Sequence, residues 1–191
     1  MPKLLNEKDF SFEIKKKYKN FEVVKSCNKN HCVTNDTKLI IVGTITPPKG
    51  AGYFYTAPRN KIYGYIDQAI NTKLKEKKLS LLQKPNNKEI INDIKQILIN
   101  NKIAFLDIIQ YAIRKKESPY DKDILYYTLD IDCFNINKNA LYICNSIFAK
   151  ECFEKICNIL NIKLNYIYLS QRLDTKKSWV ETIKKILNID N

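Results

Sequence analysis

Side chains that can do chemistry follow the four strongest strand patterns in this sequence. The first pattern runs into the loop "GTITPP" (43–48), the second ends at Asp107, the third at Asn145 and Ser146, and the fourth runs into "SQR" (170–172). Hydroxyls and amides can hold a water or hydrogen-bond a polar ring, and cations can stabilise negative charge that develops in a reaction. Because ligands of parallel sheets bind beyond the carboxyl ends of the strands, we expect these groups to share one site.

An aromatic cluster lies next to the first of these loops. Tyr53, Phe54 and Tyr55 stand between two cations, Lys49 and Arg59. Aromatic faces beside cations suit an unstacked nucleobase and its phosphate. The same rings can instead pack as an apolar cover over the sheet. The sequence leaves both interpretations open.

Several common sites are excluded because their motifs are missing. The first loop lacks the G-x-G-x-x-G pattern of dinucleotide-binding proteins and the Gly-Lys-Ser/Thr of a P-loop, and the chain has no nucleophile elbow. His31 is the only histidine, which excludes mechanisms that need two. We therefore expect no cofactor.

The six cysteines include two C-x4-C pairs, Cys27 with Cys32 and Cys152 with Cys157. Common zinc sites use C-x2-C or a close variant, so this spacing does not fit them. Free cysteine is among the most buried residue types, which favours small core residues here. A metal or iron–sulfur site is the alternative.

The elements that must position these groups alternate along the chain. Apolar runs predict buried strands at 39–42, 102–109, 139–146 and 163–170, and helical stripes occur at 60–74, 87–98, 118–129, 148–161 and 175–187. The segment 72–87 is interpreted as a basic surface excursion. The alternation predicts an α/β fold, a three-layer αβα sandwich with a central four-stranded parallel sheet. We expect an N-terminal extension at 1–37, packed on the core, and a single domain at 38–191.

The charge balance indicates a partner with dense negative charge. The 191 residues include 33 Lys and Arg against 20 Asp and Glu, a net charge of +13, which favours nucleic acid. AT-rich coding would also produce a Lys-rich chain. No run approaches the roughly 20 apolar residues of a membrane span, and the mixed charges at the start are not those of a signal peptide. We expect a monomeric, cytoplasmic protein with reduced cysteines.

Taken in order, these motifs resemble the uracil-DNA glycosylase superfamily, most closely its mismatch-specific and hypoxanthine-type branches. Those families carry a first-strand loop such as GTFNP or GINPG, then an aromatic pair and a P-x-N-x-F-W signature. Here "VGTITPP" is followed by "YFYTAPRNKIY" (53–63), with Tyr63 where Trp is usual.

The later motifs of these families also have counterparts. A strand ending in Asp and a loop with S-x-x-D-x-x-I-like spacing are matched by Asp107 and by Ser118, Asp121 and Ile124. "YICNS" and "YLSQRLDTKKSW" match the last two strand ends, so the resemblance spans roughly residues 38–187.

The resemblance implies a DNA glycosylase of base-excision repair that acts on a damaged or mismatched base of the uracil or hypoxanthine type. The target nucleotide would leave the duplex and enter a pocket at the sheet edge. Water would attack the sugar C1′ as the N-glycosidic bond breaks, and the leaving base would be stabilised electrostatically.

The resemblance also implies roles for individual residues. The loop Gly43–Pro47, including Thr44, would line the base and position the water, with Thr46 where the families place Asp or Asn. Tyr55 would stack on the flipped base. Asn145 would recognise the base edge with an amide that both donates and accepts.

Further residues would brace the site or contact the DNA. Asn60 would brace the first loop, and Asp107 would either pin a backbone amide or stand near the sugar. Ser170 or Arg172 would stabilise the leaving base, and Arg172 or Leu173 would fill the hole left in the duplex. The residues expected to contact DNA are Lys49, Arg59, Arg114, Lys115 and Leu173.

Two departures from the family pattern keep other functions open. A threonine at position 46 is a poor general base at neutral pH, and the fourth-strand loop lacks the His-Pro-Ser or Asn-Pro-Ser pattern. One alternative is a non-catalytic relative that binds DNA or a nucleobase. Another is an unrelated α/β protein that acts on a small anion.

Overall fold

The computed structural model describes residues 2–4, 20–45, 51–116, 118, 120–135, 137–170 and 173–189. The strands are β1 (Lys3–Leu4), β2 (Phe21–Lys25), β3 (Leu39–Gly43), β4 (Ile103–Asp107), β5 (Ile109–Lys115), β6 (Ile124–Leu129), β7 (Leu141–Cys144) and β8 (Tyr166–Tyr168). The helices are α1 (Ile62–Ile70), α2 (Leu74–Gln83), α3 (Lys88–Asn100), α4 (Ile147–Leu160) and α5 (Lys176–Leu187).

A four-stranded parallel sheet forms the centre of the protein. Its strand order is β4-β3-β7-β8, and β3 pairs in parallel with both β4 and β7. The β3 residues Leu39–Val42 are fully buried, as expected for a strand covered on both faces. The prediction of a central four-stranded parallel sheet is confirmed.

Helices cover both faces of this sheet. In the strand order, the step from β3 to β4 runs in one direction and the step from β7 to β8 runs in the opposite direction. Right-handed crossovers therefore place α1, α2 and α3 on one face of the sheet and α4 on the other. The last helix, α5, returns to the first face, where the Trp179 ring stacks on Tyr65 at 5.7 Å between centroids. The αβα layering predicted from the sequence is therefore present.

Helix starts follow the expected capping chemistry. The Asn87 side chain accepts the amide of Ile90 at the start of α3, and the Ser146 hydroxyl accepts the amide of Ala149 at the start of α4. The start of α3 agrees with the helical stripe predicted from residue 87, and the same kind of cap fixes Ser146 at the carboxyl end of β7.

Two predicted elements are wrong. Residues 124–129 form strand β6 rather than a helix, because "ILYYTL" is rich in strand-forming side chains and pairs with β5 as an antiparallel hairpin. Residues 74–83 form helix α2 rather than a surface excursion, because Leu74, Lys78 and Leu81 make a buried stripe at helical spacing.

The hairpin of β5 and β6 forms a second, mixed sheet. Its strand order is β1-β6-β5-β2, in which β2 is antiparallel to β5 and β1 is parallel to β6. The segment before residue 38 thus contributes two strands to this sheet. Within the described residues, no helix combines the length and apolar character that a membrane span requires.

Candidate functional site

The carboxyl end of β3 is built around a close contact between Gly43 and Tyr55. A Cβ atom at Gly43 would lie 2.9 Å from the Tyr55 hydroxyl and 3.2 Å from Asp107 Oδ1. Tyr55 has a φ of 54°, in the left-handed region that non-glycine residues seldom adopt, and it is 7% exposed. Glycine at 43 is therefore required by the tyrosine hydroxyl that approaches it.

The Tyr55 hydroxyl is buried and, among the described residues, has no hydrogen-bond partner. Burial raises the pKa of this phenol well above its usual value, and the nearby Asp107 raises it further. The group is therefore neutral and carries a proton that is free to donate. A buried hydroxyl without a partner costs on the order of 1–3 kcal/mol, so its persistence at a strand end makes it a candidate for contact with a ligand.

The rings of Tyr53, Phe54 and Tyr55 pack on the sheet. Tyr53 and Phe54 are 0% and 1% exposed, and the Tyr55 ring contacts Phe105 edge-on at 4.9 Å between centroids. For Tyr53 and Phe54 the apolar-cover interpretation is correct. Stacking of Tyr55 on a base would require the ring, which is 7% exposed, to become accessible.

Asp107, at the end of β4, is held by the segment before β3. Its Oδ2 accepts the backbone amide of Cys27 at 3.3 Å, which is one of the two roles considered for it. The Asn28 side chain accepts the Asp107 amide at 2.8 Å and donates to the Asp107 carbonyl at 2.6 Å and to Asp130 at 2.7 Å. Sequence reasoning missed Asn28, because its partners lie 79 and 102 residues away.

A cluster of two hydroxyls and a carboxylate joins the ends of β3 and β7. Thr44 Oγ1 and Ser146 Oγ each donate to Asp121 Oδ2 at 3.0 Å, and the two hydroxyl oxygens are 3.2 Å apart. Asn145 lies beside this cluster with a partly exposed side chain, and its backbone amide donates to Val42 at 3.1 Å. The structure thus brings together three strand-end residues that the sequence placed at one edge, and it adds Asp121.

A buried lysine, Lys78, hydrogen-bonds the backbone of the "PRN" turn (58–60). Lys78 is 4% exposed, and its ammonium donates to the carbonyls of Pro58 at 3.3 Å and Asn60 at 2.7 Å. Burial lowers the pKa of Lys78. Asn60 accepts the Ile62 amide at 3.0 Å, and Arg59 is exposed at the tip. Lys78 was missed because helix α2 was not predicted.

The segment after β8 forms a turn organised by Ser170. Ser170 is 6% exposed, its amide donates to Asp174 at 2.7 Å, and its hydroxyl accepts the Leu173 amide at 3.3 Å. The Trp179 indole donates to the Ser170 carbonyl at 3.3 Å. Leu173, by contrast, is 75% exposed, so the turn presents an apolar side chain to solvent.

Arg114 and Lys115, both expected to contact DNA, lie at the end of β5, and only one of them is on the surface. Lys115 is exposed, whereas Arg114 is 3% exposed and bonded to Glu22 at 3.2 Å. Burial lowers the pKa of Arg114, and the charges of Glu22, Asp107 and Asp121 oppose that shift. The expectation that Arg114 contacts DNA is corrected, since the side chain faces the interior.

Four predicted site residues lie outside the described part of the chain: Thr46, Pro47, Lys49 and Arg172. Their roles stay predictions.

The cysteines are core residues for the most part. Cys27, Cys32, Cys144 and Cys152 are buried, and burial raises the pKa of Cys144 and Cys152 to about 12. No cysteine of the described chain is in a disulfide, and no group of three or more His, Cys, Asp or Glu side chains in that part could hold a metal ion.

No protein-family model matches the sequence, and no curated protein matches it either. The fold is similar to that of a solution NMR structure of a "putative Uracil DNA glycosylase" from Methanosarcina acetivorans. The match covers 82% of this chain and 94% of that chain, with a TM-score of 0.54 and 14% sequence identity. At this identity the likeness is one of fold. The protein therefore has a uracil-DNA-glycosylase-like α/β fold.

Proposed function

We propose that this protein is a DNA glycosylase that hydrolyses the N-glycosidic bond of a flipped damaged or mismatched base, of the uracil or hypoxanthine type. The observation that carries the proposal is the set of polar groups at one edge of the parallel sheet. Gly43, Thr44, Asp107, Asn145 and Ser146 end three adjacent strands of a fold shared with the archaeal protein. Ligands of such sheets bind at this edge.

Base recognition is assigned to Asn145 and the Tyr55 hydroxyl. Asn145 is partly exposed at the end of β7, and its amide can donate to and accept from a base edge at once. Tyr55 offers a donor that has no partner among the described residues, and it does not offer a ring face, because the ring is only 7% exposed. A flipped uracil or hypoxanthine carries carbonyl acceptors that such donors would satisfy.

DNA contact is assigned to three residues that the structure shows to be exposed. Arg59 stands at the tip of the turn held by Lys78, and Lys115 is exposed at the end of β5. Leu173 is 75% exposed and has the size and apolarity to fill the hole left by an extruded base. The net charge of +13 supports a polyanionic partner.

The chemical step is the attack of water on the sugar C1′. Catalysis would come mainly from positioning of the water and electrostatic stabilisation of the departing base. On the family resemblance, Thr46 would position the water, and Ser170 or Arg172 would stabilise the departing base. In the structure, the Ser170 hydroxyl accepts the Leu173 amide at 3.3 Å, in the segment that follows β8.

A second candidate is a non-catalytic protein that binds DNA or a nucleobase at the same edge. The burial of Tyr55, at 7% exposure, favours it, because a buried ring does not present a face on which a flipped base could stack. Both candidate functions predict that the protein binds DNA, and only the glycosylase predicts that it releases a base.

The test is a set of matched duplex oligonucleotides that contain uracil, hypoxanthine, a mismatch or an ordinary base. Each duplex is incubated with the protein and treated with alkali, which cleaves strands at abasic sites. Scission of at least one modified duplex and not of the ordinary one supports the glycosylase. Salt-sensitive binding without scission supports the binding protein, and no DNA binding at about 50 mM salt contradicts both.

Substitution of Asn145 by Asp tests the recognition role. It removes a donor and adds a charge, so we expect discrimination between modified and ordinary bases to fall by about tenfold or more, with little change in DNA affinity. Asn139→Asp is the control, because it makes the same change at an exposed position next to the opposite end of β7. Equal losses of affinity and discrimination in Asn145→Asp would exclude Asn145 from base recognition.

A further inference from the structure

Thr44, Ser146 and Asp121 form the cluster described above, and Asp121 is its one member from outside the parallel sheet. It belongs to the short helical turn Asp121–Asp123, which immediately precedes β6. Its carboxylate reaches across to the ends of β3 and β7, where Thr44 and Ser146 donate to the same oxygen at 3.0 Å each. Two hydroxyl donors on one oxygen fix the position of the carboxylate.

The neighbouring acids are engaged differently. Asp107 is 4% exposed, and it accepts a buried backbone amide, so it braces the fold. Asp174 is committed to the turn after β8, where it accepts the Ser170 amide. Asp121 is partly exposed and contacts Thr44, two residues before Thr46 in the first-strand loop. Of these carboxylates, it alone is both held by that loop and open to solvent.

We infer that Asp121 is the carboxylate that positions and deprotonates the attacking water, an inference that rests on the proposed glycosylase function. The first-strand loop has threonine at the place where a carboxylate or amide would hold the water, and a hydroxyl is a poor base at neutral pH. Asp121 supplies the missing carboxylate from a different element. Thr44 and Ser146 are positioning residues, because they fix the Asp121 oxygen that they share.

The reaction balances with water as the only co-substrate. The water oxygen forms a bond to the sugar C1′, and the C1′–N bond breaks with its electron pair going to the base nitrogen. The water proton passes to the Asp121 carboxylate and then to solvent, and the departing base takes a proton from solvent. An anion close to C1′ also stabilises the positive charge that develops on the sugar.

Asp121→Asn tests the assignment, because the amide oxygen still accepts from Thr44 and Ser146 while the negative charge and the base are lost. We expect single-turnover base release to fall by about 100-fold or more, in line with the usual contribution of a general base. Asp123→Asn is the matched control on the same turn, where the side chain accepts from Ser118 at 2.5 Å. The rate of base release by Asp123→Asn should stay within about threefold of the wild-type rate.

The pH dependence of base release distinguishes a catalytic role of Asp121 from a purely structural one. In the wild type, base release should decline on acidification as the carboxylate is protonated, and Asp121→Asn should lose that limb. Activity of Asp121→Asn within about threefold of the wild type, or an unchanged acidic limb, overturns the inference and leaves the glycosylase intact. If Asp121→Asn does not fold, a wild-type rate that is flat on the acidic side overturns it instead. A wild type that releases no base overturns both the proposed function and this role.

Discussion

Replacement of Gly43 by alanine tests the close contact between Gly43 and the Tyr55 hydroxyl at the carboxyl end of β3. The new Cβ would lie 2.9 Å from the Tyr55 hydroxyl, closer than such atoms approach in proteins, and the Tyr55 ring is fixed against Phe105. Overpacking of this kind costs about 1–3 kcal/mol, and the reduced freedom of the unfolded chain returns about 0.4–1 kcal/mol. We therefore expect Gly43→Ala to lower the free energy of unfolding by about 1–2 kcal/mol.

Tyr55→Phe should reverse that loss. The variant removes the atom at 2.9 Å and leaves Asp107 Oδ1 at 3.2 Å and the ring Cζ at 3.3 Å, which small shifts can accommodate. Alone, Tyr55→Phe should be neutral or stabilising by about 1 kcal/mol, because it deletes a buried hydroxyl without a partner in the described chain. In that background Gly43→Ala should cost about 1 kcal/mol less, a coupling that a double-mutant cycle resolves.

Urea unfolding followed by the fluorescence of Trp179, the only tryptophan, provides the assay. Gly64→Ala is the control, because it lies inside helix α1 with its nearest neighbour, Lys75 Cδ, at 3.9 Å. It should stabilise the protein by about 0.5–1 kcal/mol. An equal cost of Gly43→Ala with Tyr or Phe at position 55 would refute the contact, and a large loss in Tyr55→Phe alone would show that the hydroxyl has a partner.

Two further predictions concern the surroundings of the site. Asn28→Ala removes three buried hydrogen bonds to Asp107 and Asp130 and should cost about 3 kcal/mol in urea unfolding; a cost like that of a surface substitution, below about 0.5 kcal/mol, would contradict its bracing role. The thiol pKa values of Cys144 and Cys152 are raised by burial to about 12 from 9.0, so the associated stability is present below pH 9 and is lost as pH rises above it. Between about pH 8 and 10 each thiol should lower the free energy of unfolding by about 1.4 kcal/mol. Over the same range, the free energy of unfolding of Cys144→Ala should fall by about 1.4 kcal/mol less than that of the wild type. Parallel declines in the wild type and the variant would refute a buried neutral thiol at 144.

The central sheet could be predicted from the sequence because its strands are continuous apolar runs. Leu39–Val42 and Ile103–Leu106 read as buried on both faces, and they are. The hairpin could not be predicted in the same way. Ser118, Pro119 and Asp121 look like a helix start, and only pairing with β5 makes residues 124–129 a strand.

The site was predictable in location and less so in detail. Strand-end residues such as Thr44, Asn145 and Ser146 lie at the expected edge, since parallel strands deliver their carboxyl ends to one place. Sequence alone could not tell whether Tyr55 faces a ligand or Phe105, because an aromatic ring suits either position. Nor could it show the contacts of Asn28, which join segments far apart in the chain.

The most direct test of the account is the release of free base by the purified protein in excess over a duplex with one uracil or hypoxanthine. The base is identified by mass spectrometry, and an established uracil-DNA glycosylase on the uracil duplex serves as the positive control. We expect release of at least one of these bases and a matching number of abasic sites, with none from an unmodified duplex. Intact DNA with both duplexes, under conditions in which the control enzyme acts, would contradict it.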